Sequence, residues 1–242
     1  MILKKLIIIL ILSSVTTVFA DDLIVDKNSR SQYQTDNFLR FDPFYNYKKI
    51  ISVTGFTPDS IDLSNKAVTL GSTFTQEAWI FPGQKGLKKQ EIIGHPTLTK
   101  APISSSPHIA LLDGTDIWYG FGDGSTYYFA IVKDVISTPG WYHVATTFDG
   151  SNYKLFVNGS EVYNYSGAAG ISPINTPVKS IGTQFQGKID EVRMWNVART
   201  ESEIKADMDK RLTGSETNLV AYYPMDVNGD YQLIDLSPNQ NH

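Results

Sequence analysis

Residues 153–163 read YKLFVNGSEVY. Two β-rich runs flank Asn158-Gly159, the pair best suited to the two positive-φ positions of a type I′ turn. The stretch is therefore a tight antiparallel hairpin, with strands over 153–157 and 161–165. Asp113-Gly114, Asp123-Gly124 and Asp149-Gly150 mark further turns, because glycine enters the left-handed region without steric cost and aspartate bonds to its own turn. Between these points lie short runs rich in β-branched and aromatic residues, over 66–70, 74–81, 90–94, 108–112, 117–121, 127–131, 141–148, 178–181, 188–195 and 219–224. Many short strands separated by turn signals specify an all-β sandwich or barrel.

One helix interrupts the pattern. In ARTESEIKADMDKRLTG (198–214), Thr200 is placed to cap the first turn while Glu203 reaches back from three residues on, which is a capping box. Ile204, Met208 and Leu212 form a single apolar stripe, Lys210 and Arg211 fall in the last turn, and Gly214 suits the position after the C-terminus. The helix is expected to lie flat on the domain by this stripe.

The 242 residues are 41% hydrophobic and 12% aromatic, enough for one large β domain with a real core. The formal net charge is −4, and no run of lysine and arginine exceeds a pair such as those at 88–89 and 210–211. That balance argues against nucleic acid as a partner. Residues 1–20 combine Lys4-Lys5, an apolar run from Leu6 to Leu12 and small residues up to Ala20, the pattern of a secretory signal peptide. The run is too short for a membrane span, which needs about 20 residues. The chain has no cysteine, so an exported form relies on its core, with bound metal as the possible supplement. Residues 21–49 are polar with scattered aromatics and no sustained period, and read as a lead-in or linker. The end, at 227–242, is turn-rich with no closing strand and reads as a tail cut short. Asn158-Gly-Ser160 and Asn164-Tyr-Ser166 match glycosylation acceptors.

Four blocks, FTQEAWIFP (74–82), WYHVATTFDGSNYKLFVNGSEV (141–162), GKIDEVRMWNVARTESEI (187–204) and LVAYYPMD (219–226), together resemble the laminin-G-like jelly-roll modules of the concanavalin A-like superfamily. The resemblance spans about 50–226. It implies a two-sheet antiparallel jelly-roll sandwich with one short helix towards the C-terminal side. It also implies an exported or surface module that binds a glycan or protein ligand, often with calcium, in adhesion or carbohydrate recognition.

The superfamily also contains glycosidases, which need two carboxylates flanking one bond. Alternation along a strand sends Asp190 and Glu191 to opposite faces, and the E-x-D-x-E spacing of the laminarinase-type relatives occurs in no candidate strand. His95 and His108 lack zinc spacing, His143 reads as a scaffold histidine, and the nucleophile motifs of common hydrolases are missing. The expectation is a binding module without catalytic residues, with a glycosidase or a structural spacer as alternatives.

Calcium takes six to eight oxygens from carboxylates and carbonyls. The resemblance puts Asp190, in its G-x-I-D-E position, at a structural calcium; the alternative is that it caps backbone N–H groups without metal. Asp226, Asn228 and Asp230 begin like an EF-hand loop, but Tyr231 and Ser237 break the pattern, leaving an ordinary turn as the alternative. For ligand contact the Gly-rich stretch YGFGDGSTYY (119–128) stands out, with Tyr119 and Tyr127 to stack on a sugar and Asp123 and Ser125 to bond its hydroxyls. The alternative is that its tyrosines are ordinary strand residues. In QGKIDEVRMWNVAR (186–199), period-2 geometry puts Glu191, Arg193 and Trp195 on one face. Asp190, Val192 and Met194 fall on the other, with Asp190 at the core margin.

Overall fold

The computed structural model describes residues 51–53, 60–83, 89–94, 102–137, 139–225 and 233–240. The expected signal peptide (1–20), the lead-in (21–49), His95, the Asp226-Asn228-Asp230 loop and His242 lie outside the described residues. Among the described residues, no helix is long and apolar enough to cross a membrane.

The described residues form thirteen strands and one α-helix, in chain order β1 (Ile51–Val53), β2 (Ile61–Asp62), β3 (Phe74–Pro82), β4 (Lys89–Ile93), β5 (His108–Leu112), β6 (Asp116–Gly122), β7 (Tyr127–Val132), β8 (Tyr142–Phe148), β9 (Tyr153–Val157), β10 (Ser160–Tyr165), β11 (Ser180–Ile181), β12 (Gly187–Trp195), α1 (Glu201–Asp207) and β13 (Leu219–Tyr223). They form two antiparallel sheets. Sheet A runs β1-β12-β3-β8-β9-β10, with β13 also on β12, and sheet B runs β2-β11-β4-β5-β6-β7. This is the expected jelly-roll sandwich.

The 153–165 hairpin forms as its chemistry requires. Asn158 and Gly159 have φ of 50° and 78°, and Val157 pairs directly with Ser160. Alternation then fills the space between the sheets: Tyr142, Val144 and Phe148 from β8, Tyr153 and Leu155 from β9, and Ile117, Tyr119 and Phe121 from β6 are all buried. Phe74, Phe121, Phe148 and Tyr153 meet in edge-on and tilted pairs with centroids 5.0 to 6.2 Å apart, the geometry that aromatic quadrupoles favour.

Three local expectations are corrected. Within 66–70 only Val68 pairs, by a single bridge to Val178, because Ser64–Lys66 close a 3-10 turn instead of extending. The helix keeps its full capping box, with Thr200 Oγ1 accepting the Glu203 N–H and Glu203 Oε2 accepting the Thr200 N–H at 2.7 Å, but it ends at Asp207 rather than near Gly214. The Arg193 guanidinium is the reason: it donates to the carbonyls of Asp207 (3.0 Å) and Lys210, drawing the chain onto sheet A before another turn closes. Met208 and Leu212 still pack inward, on Trp79 and Trp141 and on Trp195 and Tyr222 respectively. The third correction concerns β12, where a bulge sits between Asp190 and Arg193 and Glu191 has φ of 51°. The extra residue shifts the alternation, so the register pairs Asp190 with Trp79 and Arg193 with Glu77 on the same outer face. Asp190 therefore does not share a face with Val192 and Met194.

Residues 233–240, read as tail, lie against β13: Asp235 Oδ1 accepts the N–H groups of Tyr222 and Ser237, each at 2.8 Å.

Candidate binding face

Each sheet has an outer face, and polar groups are used differently on the two. On sheet A the face is roofed by α1 and the chain up to Leu212. Beneath the roof, Arg193 bonds Glu191 (2.7 Å) and lies 3.7 Å from Glu77, while Trp195 Nε1 donates to Glu77 Oε1 at 2.9 Å. Arg199 spans Glu77 (3.5 Å) and Asp207, and its guanidinium covers the Trp195 ring at 4.2 Å. His143 Nε2 is 3.4 Å from Glu77 Oε2, and the Tyr222 hydroxyl donates to Glu191 at 2.8 Å. Burial would raise the Glu77 carboxyl, but His143 and the guanidinium groups of Arg193 and Arg199 hold it at about 2. His143 is thus a scaffold histidine, and these acids serve to hold α1 in place.

On sheet B the register brings four neighbouring strands together. One row across the sheet is Glu91, Ala110, Trp118 and Ile131; the next is His108, Gly120 and Phe129; Tyr127 follows opposite Gly122. Gly120 is needed there, since a Cβ would lie 2.5 Å from the Tyr128 carbonyl and 2.8 Å from Phe129 Cβ. Over this floor, His108 Nε2 and the Tyr127 hydroxyl share a hydrogen bond of 2.6 Å, and Trp118 meets both rings edge-on at 5.1 and 6.2 Å. Tyr127 stacks on Phe129 with centroids 5.1 Å apart, and Phe129 is 44% exposed. The result is an aromatic platform, partly open to solvent.

Glu91 lies beside it. Its side chain pairs with Lys89, whose Nζ also sits 5.1 Å above the Trp118 ring, and neither carboxylate oxygen has another donor among the described residues. Burial pushes this carboxyl up to about 8, against the opposing pull of Lys89. A carboxyl that keeps its proton near neutrality can both donate and accept a hydrogen bond. Asp116, a second acid of this face, is occupied: it accepts from Thr115 (2.9 Å), from the Asp134 N–H (2.9 Å) and from Lys133 (2.5 Å).

The four expected ligand residues separate. Tyr119 points into the core, where its hydroxyl donates to the Tyr153 carbonyl at 3.1 Å, so the expectation of Tyr119 at a binding rim is corrected: strand alternation turns it inward. Asp123 is committed to its own turn, with Oδ1 accepting Ser125 N–H (2.7 Å), Ser125 Oγ (2.8 Å) and Thr126 N–H (2.6 Å); these bonds hold its carboxyl at about 2. Ser125 is bound within that turn. Of the four, Tyr127 alone joins the platform. Glu91, His108, Trp118 and Phe129 were not singled out for this face from the sequence, although the alternation of Tyr119 and Phe121 with Gly120 and Gly122 signals a surface that something approaches closely.

Asp190 is buried, and its Oδ1 accepts the Glu191 N–H at 3.0 Å. Among the described residues, no three or more His, Asp or Glu side chains gather in a way that could hold a metal ion. Asp190 offers one carboxylate, and any further calcium ligands there would be carbonyls.

The family profile described as concanavalin A-like lectin/glucanases superfamily matches residues 57–205. Among solved structures, a candidate carbohydrate-binding protein from Bacteroides ovatus is 24% identical with a TM-score of 0.55, covering 77% of this chain and 56% of that one. The CBM40 module of the Ruminococcus gnavus IT-sialidase is 17% identical with a TM-score of 0.51, covering 68% of this chain and 98% of that one. Both are likenesses of fold. Among curated proteins, mouse Pappalysin-1 is 36% identical over 80 residues, which is 29% of this chain and 5% of that protein. The chain thus matches only a small part of that relative's length.

Proposed function

We propose, from the premise that the chain belongs to the concanavalin A-like lectin/glucanase superfamily, that it is an exported, non-catalytic module that binds carbohydrate on the outer face of sheet B. The observation that carries this reading is the open Tyr127–Phe129 stack beside the under-bonded Glu91 carboxyl. A sugar presents a C–H face that packs on an aromatic ring and hydroxyls that need both donors and acceptors. Phe129 and Tyr127 supply the first, and the partly exposed Lys89 ammonium supplies a donor for the second. The fold shared with proteins named as carbohydrate-binding supports the reading. Export rests on the leader pattern of residues 1–20, and adhesion to a glycan-bearing surface is the role that fits such a module. Calcium at Asp190 would act structurally, away from the platform.

The test is a glycan array probed with residues 21–242, with calcium and with chelator. Hits that vanish in Phe129→Ala support the reading. No hits on any glycan, or hydrolysis of a bound one, would overturn it. For the metal, Asp190→Ala should lower the melting temperature more in calcium than in chelator, and equal losses would remove calcium from the account.

A further inference from the structure

The exposed large apolar side chains of the described residues gather in one place. Phe129 (44%), Ile131 (41%), Val162 (42%) and Tyr163 (44%) lie on β7 and β10. These are the terminal strands of sheet B and sheet A on the same side of the sandwich, and they touch. Exposed apolar side chains on neighbouring edge strands are a feature that interaction sites share.

Among the described residues, β7 is also the terminal strand of sheet B, with no strand paired to its outer side. Its six residues, YYFAIV, carry no charge and no proline and pair with β6 in unbroken register. At the β6–β7 turn the Asp123 N–H bonds the Thr126 carbonyl at 3.0 Å. Antiparallel bonding alternates from there, so the N–H and C=O groups of Tyr127, Phe129 and Ile131 point away from β6. Edges of this kind are normally blunted by charge, proline or a bulge.

We propose that β7 is the contact of a two-fold homodimer, formed by antiparallel pairing of the two β7 edges about Ala130. In that register Phe129 faces Ile131 of the partner subunit and Ile131 faces Phe129 of the partner subunit. Both are residues whose backbone groups point outward, so each pair closes reciprocal hydrogen bonds. The strand is its own complement, because no charge on it meets its copy across the axis. A head-to-tail contact would need the far edge of sheet B, which is β2 with two residues, one of them Asp62. That edge is too short to accept β7, so the pairing closes as a dimer and not as a filament. The two six-stranded sheets then run on as one, and Val162 and Tyr163 of each copy flank the seam. The pairing would also set two aromatic platforms on one surface; that consequence rests on the carbohydrate reading, but the dimer itself does not.

Sedimentation of the full chain from low to high micromolar concentration tests the proposal without any glycan. The expected result is a monomer–dimer equilibrium that Ile131→Lys weakens by at least about tenfold and Ile131→Val leaves in place. Both variants should show wild-type circular dichroism. Hydrogen exchange should protect the Phe129 and Ile131 amides in the wild-type dimer and not in Ile131→Lys. A chain that stays monomeric throughout, or a dimer indifferent to Ile131→Lys, overturns the proposal. Either outcome is distinct from failure of the glycan array.

Discussion

Glu77 on sheet A and Glu91 on sheet B are both buried, at 0% and 2% exposure, yet one carboxyl is held at about 2 and the other pushed up to about 8. Burial raises both. The difference lies in what surrounds them: Glu77 has Arg193, Arg199, His143 and Trp195 within reach, whereas Glu91 has Lys89. The contrast shows how one sandwich divides its labour. Acids, arginines and indoles on sheet A pair with one another and fasten the helix. On sheet B the Glu91 carboxyl has one nearby cation, Lys89, and lies beside aromatic rings that are partly open to solvent.

The contrast would break first at Arg193. Replacing it with Met removes the guanidinium that bonds the buried Glu191 and one of the cations beside Glu77, and the expected loss is about 3–5 kcal/mol in urea unfolding. A loss below about 1 kcal/mol would mean that the network does not hold α1.

Acid–base behaviour sharpens it next. Glu77 has its folded pKa depressed from 4.5 to about 2, so its stabilisation is present above 4.5 and is lost as pH falls through that window. Glu91 has its pKa raised from 4.5 to about 8, so the fold is favoured at low pH and weakens as pH rises from 4.5 to about 8. Glu77→Gln should flatten the stability profile between about pH 2 and 4.5 and Glu91→Gln between pH 4.5 and about 8, each by about 1–3 kcal/mol. Urea midpoints measured across pH decide this; parallel profiles for both variants would erase the distinction.

Binding affinity comes third. Tyr127→Ala and Phe129→Ala should each weaken glycan binding by roughly tenfold, about 1.4 kcal/mol, whereas Tyr119→Phe should change affinity little because its ring faces the core. Calorimetry with an array hit would show the order. The smallest effect is at the helix entrance, where Thr200→Ala should cost about 1 kcal/mol of stability and leave binding unaltered.

What the sequence made legible was local. The Asn158-Gly159 hairpin, the Thr200–Glu203 box and the Glu191–Arg193 pair each depend on residues within a few positions, and all three form. The end of α1 was hidden because Arg193, from a different strand, captures the carbonyls of Asp207 and Lys210. The β12 bulge was hidden because Glu191 takes φ of 51° with no glycine to announce it, which moved Asp190 to another face. The site was hidden for a third reason: Glu91, His108, Trp118 and Tyr127 come from β4, β5, β6 and β7, and only sheet order brings them together. Tyr119 and Asp123 looked functional by type, but alternation and turn bonding had already committed them.

The most direct test of the division between the two faces is an amide NMR titration of the chain with a glycan that binds on the array. The shifts should move at Glu91, Trp118, Tyr127 and Phe129 and stay still at Glu77, Arg193 and α1. Perturbations centred on β12 and α1, with sheet B silent, would contradict the account.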